Sequence, residues 1–80
     1  MTGQQIITWL RDEAILTLEE NFPPQGNLFT AGLDSMAVMQ LVVAAEESFK
    51  TILTPADLTR ENLSTPNSLA NLITNKTPKT

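Results

Sequence analysis

Three stretches of the chain carry apolar residues at helical spacing, and the segments between them are broken by proline and glycine. In the first, Ile6, Ile7, Leu10, Ala14, Ile15 and Leu18 recur three and four positions apart, with Arg11, Asp12, Glu13 and Glu19 filling the other side. This spacing predicts an amphipathic helix from about Gln4 to Glu20, with Thr2 or Gly3 as its candidate cap. In the second, Met39, Val42, Ala45 or Glu46, and Phe49 define the predicted inward face of a helix running from about Ser35 to Phe49 or Lys50, and Val38 and Leu41 extend that face. Asp34 and Ser35 are both residue types that cap a helix start. The face this leaves to solvent is Met36, Ala37, Gln40, Val43 or Ala44, and Glu47, which is unusually apolar. In the third stretch, Thr65 and Pro66 are the expected pair of cap and first helical residue, and Leu69, Leu72 and Ile73 form the stripe of a last helix.

Between the first two helices, the stretch NFPPQGNLFTAGLD (21–34) cannot continue a helix, because Pro23 and Pro24 lack amide donors and Gly26, Asn27 and Gly32 favour turns. It nevertheless contains Phe22, Leu28, Phe29 and Leu33, so it is expected to pack over the core. Downstream, ILTPAD (52–57) reads as a connection with Pro55 opening a short turn, and one or two helical turns are expected between Asp57 and Leu63. The tail from Asn75 to Thr80 is expected to fray. No stretch alternates with period two for long enough to argue for a sheet. The predicted fold is an all-α four-helix bundle of three main helices and a short third one, with a long first loop. It forms a single domain over 1–80, with a core at about 4–74.

Composition narrows the chemistry. The chain has no cysteine and no histidine, which removes disulfides, thiolate metal sites, the cysteine nucleophile, the usual general base and the commonest metal ligand. Nine acidic residues against five basic ones give a net charge of −4, so a nucleic-acid backbone would be repelled and basic patches on protein partners attracted. The N-terminus lacks the basic region and long apolar run of a signal peptide, and no apolar stretch approaches the roughly 18 residues of a membrane span. A cytoplasmic protein with no membrane insertion is therefore expected.

The residues that suggest chemistry are Gly32-Leu33-Asp34-Ser35-Met36. A serine at a helix start exposes its hydroxyl on a rigid element, and the free amides there suit a phosphate ester on that oxygen. Gly32 permits the close turn that delivers the chain to this point, and Asp34 sets a carboxylate beside the hydroxyl, where a partner's divalent ion could be met. With no histidine to act as base, Ser35 reads as a modified residue rather than a nucleophilic catalyst. Taken alone, Asp34-Ser35 is more simply a helix cap.

The surroundings carry more. The stretch LFTAGLDSMAVMQLVVAAEESF (28–49) resembles the phosphopantetheine-binding carrier family of acyl, peptidyl and D-alanyl carrier proteins. It shares their apolar pair, glycine, Leu-Asp-Ser, large apolar residue and helix closing on Glu-Glu and Phe. Ile52, Leu58, Leu63, Thr65 and the helix from Leu69 to Ile73 extend the resemblance over about Ile6 to Ile73. The resemblance implies that a phosphopantetheinyl transferase attaches a 4'-phosphopantetheine arm to Ser35, with Asp34 assisting the transferase's magnesium and Gly32 and Leu33 shaping the attachment motif. The arm would then hold an acyl or aminoacyl cargo as a thioester. An adenylating acyl or aminoacyl ligase or an acyltransferase would load it, and downstream synthase enzymes would use it. The protein itself would not be an enzyme, and it would be a monomer, either free-standing or an excised domain of a larger synthase. Asp-Ser-Met and Thr65-Pro66-Asn67 resemble D-alanyl and other discrete aminoacyl carriers, whereas the first loop between Leu18 and Leu28 is shorter than is usual in the family.

The outer positions Met36, Ala37, Gln40 and Ala44 are the candidate partner-recognition face, with Met36 beside the arm. Met39 is assigned to the core by its spacing, and Trp9 is read as a lid over the core. An alternative function is a carrier-fold interaction module that is never phosphopantetheinylated and that docks a partner through the apolar face of the second helix.

Overall fold

A computed structural model describes residues 1–19 and 21–77. Its elements in chain order are α1 (Gly3–Asp12), α2 (Ser35–Phe49), a short 3-10 turn (Pro55–Asp57), α3 (Arg60–Leu63) and α4 (Pro66–Lys76). There is no strand among the described residues, and the architecture is the all-α four-helix arrangement with one long first loop that the apolar pattern predicts. Packing between elements is densest where α1 lies along α4 and where the single turn of α3 meets the start of α4.

Helix α1 begins at Thr2, whose hydroxyl accepts from the Gln5 amide (3.1 Å) while the Gln5 side chain accepts from the Thr2 amide (2.9 Å), a reciprocal capping box. Gly3 is required at this end. A Cβ there would collide with Asn67 Oδ1 and lie 2.9 Å from Pro24 Cβ, so the absent side chain lets the starts of α1 and α4 close on the first loop.

The first helix stops at Asp12, about two turns earlier than its spacing predicts. Ala14 takes the left-handed conformation (φ 56°), and Ile15 N–H donates back to Leu10 O (3.0 Å) as Ala14 N–H does to Arg11 O (3.1 Å). These are the two bonds of a Schellman ending, and Ile15 and Leu10 are both buried in the core. The physical reason lies in Leu16. At about 100° per residue a continued helix would carry Leu16 opposite Ile7 and about 120° from Leu10, off the buried face of α1. Breaking the helix allows Ile15, Leu16 and Leu18 all to reach the core, where each is at most 7% exposed. Alanine in the left-handed region is strained, so Ala14→Gly is expected to stabilise the fold by about 0.5–1 kcal/mol. Chemical denaturation would check this, and a loss of stability would contradict the reading of the ending.

The loop from Glu13 to Asp34 is strapped down rather than free. Leu28 N–H donates to Ser64 O (2.7 Å), and Pro24 O accepts from Asn67 N–H (3.0 Å), one of the amides that a helix start leaves without an intrahelical partner. Asn27 turns the chain by accepting from the amides of Phe29 (2.8 Å) and Thr30 (3.2 Å). Of the four large apolar residues between Asn21 and Asp34, Leu28 and Leu33 are buried, and Phe22 and Phe29 pack half-buried against the core.

Helix α2 ends at Phe49, where Lys50 adopts the left-handed conformation (φ 54°) and Thr51 N–H returns to Ala45 O (3.3 Å). Trp9 lies half-buried with its ring 5.0 Å from that of Phe49 and its Nε1 donating to Ser48 Oγ (3.0 Å), which joins α1 to the end of α2. At the other terminus the tail is firmer than expected as far as the described residues go. Helix α4 runs to Lys76, Thr77 Oγ1 donates to Ile73 O (2.6 Å), and the buried Thr51 hydroxyl pairs with Thr77 (2.7 Å). Residues 78–80 of the expected frayed tail lie outside the described residues.

Lys76 also pairs with Asp57 (3.0 Å), tying α4 to the 3-10 turn. The Thr54 amide, then Lys76 and the Thr54 hydroxyl, hold the Asp57 carboxyl below its ordinary value. A depressed acid contributes its stability above the ordinary carboxylate range, and that contribution is lost as the pH falls through the lowered value.

Candidate functional site at the start of the second helix

Ser35 is the first residue of α2 and is exposed. The chain reaches it through Gly32, whose φ of +114° lies in the region that side chains avoid, and through Leu33, which is 5% exposed and anchors the turn in the core. Asp34 is the cap of α2, its Oδ1 accepting from Ala37 N–H at 2.9 Å. This resolves the two cap candidates. The carboxylate closes the helix, and the serine that follows is not needed for it.

The four serines of the chain differ in what their hydroxyls do. Ser48 Oγ accepts from Trp9, Ser64 Oγ donates to Glu61 O (3.0 Å), and Ser68 Oγ pairs with Thr65 Oγ1 (3.0 Å). Ser35 Oγ makes no hydrogen bond among the described residues. It opens instead onto a groove of about 490 Å³ between α2 and α3, lined by Phe29, Leu33, Val38, Leu58 and Leu63 with Asp34, Thr59 and Arg60 at its polar margin. The groove depends on the loop. Phe29 and Leu33 come from the segment strapped to Ser64, so the same tie that holds the loop shapes the wall beside Ser35.

The outer face of α2 differs from the predicted one. Met39, assigned to the core by its spacing, is 70% exposed, while Ala37 and Ala44, assigned to the outer face, are 6% and 8% exposed. The helix turns its alanines inward (Ala37, Ala44 and Ala45, with Leu41) and Met36, Met39 and Val43 outward. Both faces are apolar, so periodicity cannot say which is buried. The small side chains face in because they let the α2 backbone approach the core closely. The exposed patch is thus Met36, Met39 and Val43 with Gln40 and Glu47 on its flank and Ala44 at its edge. Met36 and Gln40 remain where the sequence places them.

Among the described residues no helix is long and apolar enough to cross a membrane, and no cluster of histidine, cysteine or acidic side chains is arranged to hold a metal ion.

The fold is thus a four-helix one that presents an uncommitted serine at a capped helix start, above an apolar groove. Residues 5–73 match the family described as the phosphopantetheine attachment site, and the chain belongs to that family. No match is found among curated protein sequences. Among solved structures, the chain is similar to one in the crystal structure of Bradyrhizobium japonicum glycine:[carrier protein] ligase complexed with glycylated carrier protein. The two are 24% identical with a TM-score of 0.67, over 88% of this chain and 96% of that one, which shows a shared fold. Family and fold together support a carrier role.

Proposed function

We propose that this protein is a carrier whose Ser35 hydroxyl takes the phosphopantetheine arm of coenzyme A and whose cargo is an acyl or aminoacyl group. The observation that carries the reading is Ser35 itself: exposed, without a hydrogen-bond partner among the described residues, and opening onto an apolar groove. Ser35 Oγ would attack the phosphorus that bears the pantetheine group. A P–O ester to Oγ forms, the pyrophosphate linkage breaks, and adenosine 3',5'-bisphosphate leaves. The hydroxyl proton passes to a base on the transferase, since this chain has no histidine or cysteine to take it. When bound, the arm supplies the thiol that holds the cargo as a thioester. The chain's own part is positioning and recognition, with no catalytic step.

Asp34 has two separable duties in this reading, capping α2 and meeting the transferase's magnesium. Asparagine caps as well as aspartate does, whereas alanine costs about 1 kcal/mol. Asp34→Asn is therefore expected to leave stability within about 0.5 kcal/mol while slowing arm transfer as strongly as Asp34→Ala does. Wild-type transfer rates in the Asn variant would leave only the capping duty.

The exposed Met36, Met39, Gln40 and Val43 suit contact with a transferase or ligase, since methionine adapts to differently shaped partners. The likeness to a glycylated carrier held by its ligase supports an adenylating ligase as the loading partner and an aminoacyl group as the cargo. The test is an intact mass after incubation with coenzyme A, magnesium and a broad-specificity phosphopantetheinyl transferase, followed by peptide mapping. Gain of one arm on Ser35 supports the carrier reading. A folded sample that stays unmodified beside a working control would favour an arm-free interaction module using the same α2 face.

A further inference from the structure

The groove beside Ser35 is lined by one cation among the described residues, Arg60, and by one anion, Asp34. Arg60 is the first residue of α3, on the wall opposite α2, and it is exposed. Its guanidinium carbon sits 5.3 Å from the centroid of the Phe29 ring, within cation–π range. It makes no ion pair among the described residues. Lys76 has Asp57, whereas Arg60 has only the aromatic face. A positive group is thus held in one place, with its donors uncommitted, in the same groove as an uncommitted serine hydroxyl.

We infer that Arg60 is a positioning residue that binds the phosphodiester formed on Ser35 and so lays the arm along the groove toward α3. The inference rests on the reading that Ser35 carries the arm. Whatever the cargo, the phosphodiester is the first group of that arm, bonded directly to Ser35 Oγ, so its negative charge stands at the mouth of the groove. There it joins the Asp34 carboxylate, one oxygen of which is already committed to the Ala37 amide. Two like charges side by side are unfavourable without a compensating cation. The free amides at the start of α2 offer part of that compensation, and Arg60 offers the rest. A guanidinium matches two phosphate oxygens at once with parallel N–H donors, which an ammonium cannot reproduce. The Phe29 face fixes the plane of that fork beforehand, so little side-chain freedom is lost on pairing. Phe29 therefore serves both as groove wall and as the rest on which the cation is held ready.

The test compares apo and holo protein by NMR for the wild type, Arg60→Gln and Arg60→Lys, after intact mass has confirmed one arm on Ser35 in each. Arg60 is exposed and outside the core, so the variants are expected to fold, and their amide spectra check this. In the wild type, modification should shift the Arg60 Nε–Hε resonance and slow its exchange with solvent about 3- to 5-fold, as a partly exposed charge-assisted pair does. The holo phosphorus resonance should shift on adding salt in the wild type and not in Arg60→Gln, with Arg60→Lys between them. An Arg60 Nε–Hε signal identical in apo and holo protein, or a phosphorus resonance with the same salt response in all three proteins, would overturn the pairing while leaving the attachment intact. Absence of any arm in the mass spectrum overturns the attachment reading, and the pairing with it.

Discussion

Ser35→Ala is expected to abolish attachment of the arm completely while leaving the fold as stable as the wild type within about 0.5 kcal/mol. The two halves of this result have separate causes. Attachment needs an oxygen to form the phosphate ester, and alanine has none. The other three serines do not offer a substitute, because their hydroxyls are engaged with Trp9, Glu61 and Thr65. Stability is spared because the side chain is exposed, the cap is Asp34, and alanine is the most favourable residue in a helix. For a domain of this size such a change moves the melting temperature by less than about 4 °C. Intact mass after treatment with coenzyme A and transferase, together with a thermal melt, reads both. An arm recovered on the alanine variant would place the attachment elsewhere and remove the basis of the carrier reading.

Leu28→Ala is expected to destabilise the protein by about 2–5 kcal/mol and to slow arm transfer as well. Leu28 is fully buried, and truncation leaves a cavity under a loop that contributes several other core residues. A domain of 80 residues has roughly 4–12 kcal/mol in total, at the usual stability per residue, so this single change removes a large share of it. The effect on function follows from the backbone. Leu28 N–H is bonded to Ser64, and Leu28 O accepts from Leu33 N–H (3.0 Å), so the residue lies between the α3–α4 corner and the turn that delivers Ser35. Urea unfolding gives the first quantity and the initial rate of modification the second. A loss below 1 kcal/mol would mean that the loop is not held by this anchor.

The attachment motif is the part of the protein that local sequence expresses most directly. Gly32 at a positive φ, Asp34 as cap and Ser35 at the first helical position are each dictated by the backbone geometry of a few neighbouring residues. The same holds for Thr65 with Pro66 and for Pro55 at the head of the 3-10 turn. Where short-range spacing had to stand for tertiary packing, it misled. The stripe through Ala14, Ile15 and Leu18 is consistent with a longer α1, but it leaves Leu16 without a buried place, and only the surrounding core shows that a break serves all these side chains better. Arg60 is a plain solvent-facing residue in the sequence, and nothing local links it to Phe29 or to the serine's groove.

By itself the sequence determined the class of fold, the positions of three helix starts and the placing of Ser35 at one of them. These depend on capping chemistry and on an apolar period that any helix must satisfy. The tertiary structure alone decided which face of α2 is buried, where α1 ends and which side chains share the groove with Ser35. Those outcomes depend on how closely two backbones can approach and on which residues distant in the chain meet. An inward row of alanines and an outward row of Met36, Met39 and Val43 both follow helical spacing, and only the packing against the rest of the domain distinguishes them.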